Sequence, residues 1–219
     1  MKEFFPLLRQ CALFEGIDPA DMGGLLSCLG AKLVTVKKNA VVWAEGDPAS
    51  HLGIVLTGAV QTVKDDFFGN RSIVDQAEPG ELFAESYAAG GMTALPVSII
   101  AVRESQLLLI DCRRITVSCA NACGFHSQMI HNLLRVVAEK NLQYNQKLEI
   151  TGKRTTREKV MAYLTAQAKQ AGQNSFTIPF DRQGLADYLG VERSAMSAEI
   201  GKLRKEGILS CQRSHFTLL

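Results

Sequence analysis

The 219-residue sequence predicts an α+β fold in three successive textures: an antiparallel sandwich or barrel, one long helix, and a small C-terminal segment of helices and a hairpin. Three observations carry this expectation. Short β-branched runs alternate with turn clusters from residue 31 to 110, apolar residues then recur at helical spacing to about residue 150, and two apolar helical stripes flank one glycine between 180 and 207. The charge divides along the same lines. Residues 1–149 carry 13 basic and 16 acidic side chains and residues 150–219 carry 11 and 6, so an overall charge of +2 conceals −3 and +5. A cationic excess confined to one segment points to a polyanionic partner for that segment. Two domains are expected, 1–150 and 151–219.

Residues 1–30 read as short helical pieces, with Asp18 and Pro19 placed as N-cap and first residue of a helix over 20–29. Strands are expected at 33–37, 52–56, 59–63, 71–74, 97–102 and 107–110. Gly46-Asp47-Pro48, Thr57-Gly58, Phe68-Gly69-Asn70 and Glu78-Pro79-Gly80 supply the turns. Regularly spaced short strands of this kind make a sandwich or barrel of roughly 80 residues.

After Asp111 turn residues thin out. Ile130, Leu134, Val137, Asn141, Tyr144 and Leu148 are spaced 4, 3, 4, 3 and 4, the a/d seam of a coiled coil, and predict a homodimer along a helix over about 113–150. Asn141 on that seam is satisfied best by its counterpart on an identical chain, which fixes register at some cost in stability. The alternative is the wide apolar face of a core helix in a monomer. A second stripe, Met129, Leu133 and Val136, lies beside the seam and is placed to pack on the barrel. Thr151-Gly152-Lys153 then interrupts the pattern as a hinge would, and a helix over 156–170 and an extended piece over 175–179 follow.

Residues 180–207 read as two helices joined by a tight turn. Leu185 and Leu189 form one stripe and Met196, Ile200 and Leu203 another. Ala186 is small where the helices cross, and Gly190 allows the positive φ of a sharp turn. The opposite face of the second helix presents Arg193, Ser194 and Ser197 in its first turns, with Lys202 further along. Arg193 can donate two hydrogen bonds to guanine O6 and N7, and serine hydroxyls can donate or accept. Arg182 and Gln183, at the start of the first helix, suit phosphate contacts aided by backbone amides. Residues 208–218 add a hairpin.

In these residues the chain resembles the CRP/FNR family of bacterial transcription regulators, and the likeness covers nearly its full length. Arg182-Gln183, Leu185-Ala186, Leu189-Gly190-Val191 and Arg193-Ser194 stand where that family's winged helix-turn-helix has its signature. Glu45-Gly46-Asp47 and Leu56-Thr57-Gly58 resemble the glycine turns of its cyclic-nucleotide-binding-like, double-stranded jelly-roll domain. The 130–148 seam matches its dimerisation helix. The resemblance implies a homodimer on a palindromic site of double-stranded DNA, RNA polymerase as a partner, and control by a signal sensed in the β-roll. Ala198 departs from an arginine common on the family's recognition helix, and Gly184 from a commonly acidic residue.

A third departure concerns the signal. Cyclic-nucleotide-binding members hold the cyclic phosphate with an arginine, yet Arg71 is the one cation between Lys64 and Arg103 here. A phosphate buried without a cation is costly, so cyclic AMP is disfavoured. An unidentified small molecule using Glu81, Glu85, Ser86 and Ser98 as polar anchors and Met129 or Leu133 as an apolar wall is the expectation. The alternative is that these residues complete a turn and the core.

Redox or metal sensing through Cys11, Cys28, Cys112, Cys119, Cys123 and Cys211 is the alternative signal. No Cys-x-x-Cys occurs, and neither the cysteines nor His51, His126, His131 and His215 show ligand spacing typical of a metal, so no metal or other cofactor is expected. No Gly-x-Ser-x-Gly, His-Glu-x-x-His or Gly-x-x-x-x-Gly-Lys-[Ser/Thr] pattern is present, which leaves an enzyme, for instance a thiol hydrolase, without a motif. The N-terminal apolar stretch is too short for a signal peptide, and no run of about 18 apolar residues exists, so a cytoplasmic protein without membrane contact is expected.

Overall fold

The computed structural model describes residues 2–116 and 124–219. In chain order its elements are α1 (Phe5–Leu8), α2 (Met22–Cys28), β1 (Lys32–Val36), β2 (Val41–Trp43), β3 (His51–Thr57), β4 (Val60–Asp65), β5 (Arg71–Ala77), β6 (Leu82–Phe83), α3 (Glu85–Ala89), β7 (Ser98–Ala101), β8 (Ser105–Asp111), α4 (Arg113–Thr116), α5 (Gly124–Thr151), α6 (Thr156–Ala171), β9 (Ser175–Thr177), α7 (Arg182–Leu189), α8 (Arg193–Lys205), β10 (Leu209–Gln212) and β11 (His215–Leu218). The packing divides this chain into two units, Met1–Phe68 with Val74–Asn141 and Gly69–Ile73 with Leu142–Leu219.

In the first unit two sheets, ordered β1-β8-β3-β6 and β2-β7-β4-β5, form the antiparallel β-roll. β3 shows how they are held. Residues 52–56 are all buried, which a strand achieves only when both of its faces are covered. Leu52, Ile54 and Leu56 face a cluster containing Leu8, Leu13, Phe14, Met22 and Leu25, while Val55 faces one containing Val60, Phe83, Ile99 and Leu107. Period-two alternation thus sends successive side chains into two cores. Gly53 has to be glycine, because a Cβ there would lie 2.0 Å from Cζ of Phe83. β2 and β6, missing from the sequence reading, are three and two residues long, too short to display alternation.

The expected helix over 20–29 is corrected at its start. The Asp18 carboxylate accepts a hydrogen bond from the amide of Ala20 (2.8 Å) within a turn, and α2 begins only at Met22. The second stripe of the long helix is where the spacing puts it: Met129, Leu133 and Val136 are buried in the cluster with Leu8 and Leu13. Buried Asn132 ties α5 to the N-terminal segment, its amide donating to the carbonyls of Leu13 (3.0 Å) and Glu15 (2.8 Å). Cys119 and Cys123 lie outside the described residues.

In the second unit α5 ends at Thr151, followed by Gly152, and α6 opens on a capping box. The Thr155 hydroxyl accepts from the Glu158 amide (3.2 Å) and the Glu158 carboxylate accepts from the Thr155 amide (3.0 Å). β9, β10 and β11 form a three-stranded antiparallel sheet ordered β10-β11-β9, which includes the expected C-terminal hairpin.

Candidate nucleic-acid interface

α7 and α8 are built by short-range rules. Asp181 caps α7, its carboxylate accepting the Gly184 amide at 2.8 Å, so residue 184 contributes its backbone N–H. The helix stops at Gly190, which takes φ +61°, and the Val191 amide returns to the Ala186 carbonyl (3.1 Å). Two residues after Gly190, Glu192 caps α8, accepting the Ala195 amide at 2.8 Å. Leu185, Ala186, Leu189, Met196, Ile200 and Leu203 are all buried. At about 1.5–3 kcal/mol for each large apolar side chain, this burial outweighs what the caps contribute. Tyr163, Phe180 and Tyr188 complete the unit's core with tilted ring contacts.

With those stripes turned inward, Arg193, Ser194 and Ser197 lie exposed along the first turns of α8. The side chains of Arg193 and Ser197 make no hydrogen bond among the described residues. Ser194 donates its hydroxyl proton to the Glu192 carboxylate, and that bond with the two amides at the helix start holds the Glu192 carboxyl down to about 2. Lys202 is exposed but paired with Glu199 one turn earlier (2.6 Å). Gln183, exposed at the start of α7, donates to Asp187 (2.8 Å). Arg182 is half-buried: its guanidinium donates to Sγ of Cys211 (3.2 Å) and stands 5.0 Å from the ring centre of Phe216, which joins the start of α7 to the hairpin. The six expected DNA-contacting residues therefore share one unit, with Arg193 the cation most free to engage a ligand.

The seam of α5 is open for much of its length. Leu134 and Leu148 are each 68% exposed and Ile130 39%, Asn141 is exposed, and Val137 and Tyr144 are half-buried.

Of the expected signal residues, Met129 and Leu133 are buried in the cluster with the N-terminal helices, against which Ala88 of α3 also packs. The Glu81 carboxylate accepts the Glu78 amide (2.9 Å) within a turn, and the Ser98 hydroxyl accepts the Glu45 amide (3.0 Å). Glu85 is 2% exposed at the start of α3, after Ala84 in the left-handed region (φ +59°), with Ser86 beside it. Burial raises its carboxyl above the ordinary range, and Oε2 has no hydrogen-bond partner among the described residues.

Sequence reasoning missed the cation in this region. Lys140, 8% exposed, reaches in from α5 and forms a salt bridge with Asp75 of β5. Burial alone would lower its ammonium, but Asp75 and Glu85 outweigh that and shift it upward. The sequence separation of 65 residues leaves no local signal for the pairing.

Among the described residues no three His, Cys, Asp or Glu side chains cluster as a metal site, and no helix is long and apolar enough to cross a membrane. Burial pushes the Cys11 thiol up to about 11 and raises that of Cys112.

Comparison with known proteins follows the same division. A cyclic nucleotide-binding domain model matches residues 33–117, and a Crp-like helix-turn-helix domain model matches 158–219. Nitrogen fixation regulation protein FixK of Rhizobium meliloti is 26% identical over 198 residues, 90% of this chain and 84% of its own length. Transcriptional activator protein FnrA of Stutzerimonas stutzeri is 22% identical, covering 84% of this chain and 75% of its own. The structure of FixK2 from Bradyrhizobium japonicum superposes with a TM-score of 0.69 at 22% identity, over 86% of this chain and 92% of that one. The c-di-GMP responsive global regulator CLP of Xanthomonas campestris gives 0.72 at 16% identity, over 90% and 98%.

Proposed function

Because the chain belongs to the CRP/FNR family of transcription regulators, we propose that it binds a palindromic DNA site as a homodimer whose two α8 helices enter successive major grooves. The observation that carries this reading is the exposed first turn of α8, where Arg193, with no side-chain hydrogen bond among the described residues, lies on the face opposite a buried apolar stripe. Arg193, Ser194 and Ser197 contact base edges. Arg182, Gln183 and Lys202 contact the phosphate backbone, fixing position without reading sequence. The dimer forms along Ile130, Leu134, Val137, Asn141, Tyr144 and Leu148, an apolar stripe that the single chain leaves largely uncovered. Residues 1–150 carry sensing and dimerisation and 151–219 DNA binding, in the cytoplasm, with RNA polymerase the partner that family membership implies.

The signal is a small molecule other than cyclic AMP. Lys140 supports this choice, since it is already paired with Asp75 and faced by Glu85, so an entering phosphate meets two carboxylates and one committed ammonium. Signal binding shifts α5 across the dimer, and the segment around 151–156 re-aims the recognition helices. The relatives are regulators, and catalysis has no part in this mechanism.

The test is selection of duplexes by the purified protein, followed by titration across salt. A palindrome whose affinity falls linearly on a log–log salt plot is expected. Absence of salt-dependent binding to any selected duplex refutes the reading.

A further inference from the structure

We propose that Ser194 reads DNA as a hydrogen-bond acceptor alone and so selects a base offering an exocyclic amino group in the major groove, adenine N6 or cytosine N4. The inference rests on the DNA-binding reading above and specifies its chemistry. A serine hydroxyl has one proton and two lone pairs and ordinarily turns to suit either partner, which makes serine a poor discriminator of bases. That freedom is removed here.

Glu192 is the N-cap of α8, and Ser194 is the second residue of the helix. One oxygen of the cap, Oε2, accepts both the Ala195 amide (2.8 Å) and the Ser194 hydroxyl. An ionised carboxylate can only accept, and the cap keeps this one ionised at any working pH. The direction of the Ser194–Glu192 bond is therefore fixed, with serine donating. To donate to guanine O6 or N7, or to thymine O4, Ser194 would have to give up a charge-assisted bond for a neutral one of about half the strength. Its lone pairs stay available, and the residue is exposed.

Neighbouring positions give the contrast. Arg193 can only donate and so matches guanine, whereas Ser197 has no bound partner among the described residues and keeps both options. Two consecutive residues of the recognition helix thus present opposite polarity to the groove. The device lies in the cap residue, which touches no base in this scheme yet decides what its neighbour reads.

The experiment is selection of a randomised duplex library by the full-length protein, sequenced for the parent, Ser194→Ala and Glu192→Ser. The last variant keeps an N-cap acceptor and removes the carboxylate. The parent is expected to enrich adenine or cytosine at one position of each half-site, by about ten-fold over guanine and thymine. Ser194→Ala flattens that position and leaves the guanine preference set by Arg193. Glu192→Ser admits guanine and thymine there, because the serine proton is released. Circular dichroism melts of both variants establish that they are folded.

The inference is overturned if the position flattened by Ser194→Ala favours guanine or thymine in the parent, if folded Ser194→Ala flattens none, or if folded Glu192→Ser leaves the preference unchanged. Failure of the parent to enrich any sequence overturns the DNA-binding reading, and this inference with it. Enrichment indifferent to residues 192 and 194 overturns this inference alone.

Discussion

Replacing Lys140 with methionine tests the charge arrangement inside the β-roll. Methionine keeps the length and apolar stem of lysine and deletes the ammonium. The side chains of Lys140 and Asp75 are 10% and 18% exposed, and Glu85 is 2% exposed, so the variant leaves two poorly solvated carboxylates without a cation. Removing one partner of a fully buried pair costs about 3–5 kcal/mol; the residual exposure of this one places the expected loss near the lower end, ~3 kcal/mol, or roughly 150-fold in the folding equilibrium.

Trp43 is the sole tryptophan of the chain and stands 5.4 Å from the Phe83 ring in the same sandwich, so its fluorescence in urea reports this unit directly. The loss has a defined pH dependence. Burial raises the Glu85 carboxyl above its ordinary 4.5, so its neutral form favours the folded state; that contribution is full below 4.5 and is lost as pH rises through the raised value. Lys140 partly offsets this rise, and its removal moves the carboxyl higher still. The deficit of Lys140→Met should be largest near pH 7 and shrink as the solution is acidified and Glu85 takes up its proton. A deficit under about 1 kcal/mol, or one independent of pH, would show that the Lys140 charge contributes nothing to this core.

On a selected site Arg193→Ala should cost about 1–3 kcal/mol and relax one base preference, read by fluorescence anisotropy against a mismatch panel. Arg182→Ala should weaken all duplexes alike, and the second unit should also melt earlier, because the guanidinium bridges α7 to Cys211 and Phe216 of the hairpin. Leu134→Asp places a charge on a side chain 68% exposed in the single chain, so the fold should survive while sedimentation shows a monomer; Asn141→Leu should remain associated. Gly58→Ala should lower β-roll stability by about 2 kcal/mol or more in the same urea assay, since φ is +85° and a Cβ would meet the Ser105 hydroxyl oxygen at 2.1 Å.

Much of the second unit is legible in its residues. Asp181, Gly190, Glu192 and the stripes at 185, 189, 196, 200 and 203 act over a few positions each, so the order of types along the chain carries their geometry. The two stripes of α5 are legible for the same reason: helical periodicity separates a face that packs on the β-roll from one that stays uncovered. Short strands such as β2 and β6 fall below the length at which alternation registers. The start of α2 was misplaced because an Asx turn at Asp18 has the same local signature as a helix cap.

What the sequence by itself determined, then, is most of the element types, the helix-turn-helix and the uneven charge, all of which follow from the order of residues along the chain. Tertiary structure decided which polar groups meet. It brought Lys140 against Asp75 and Glu85, and it sent Met129 and Leu133 into the packing of the N-terminal helices. The reason is physical: a burial stripe repeats along the chain and leaves a period to detect, whereas a single ion pair or hydrogen bond repeats nowhere and exists only once the chain has folded around it.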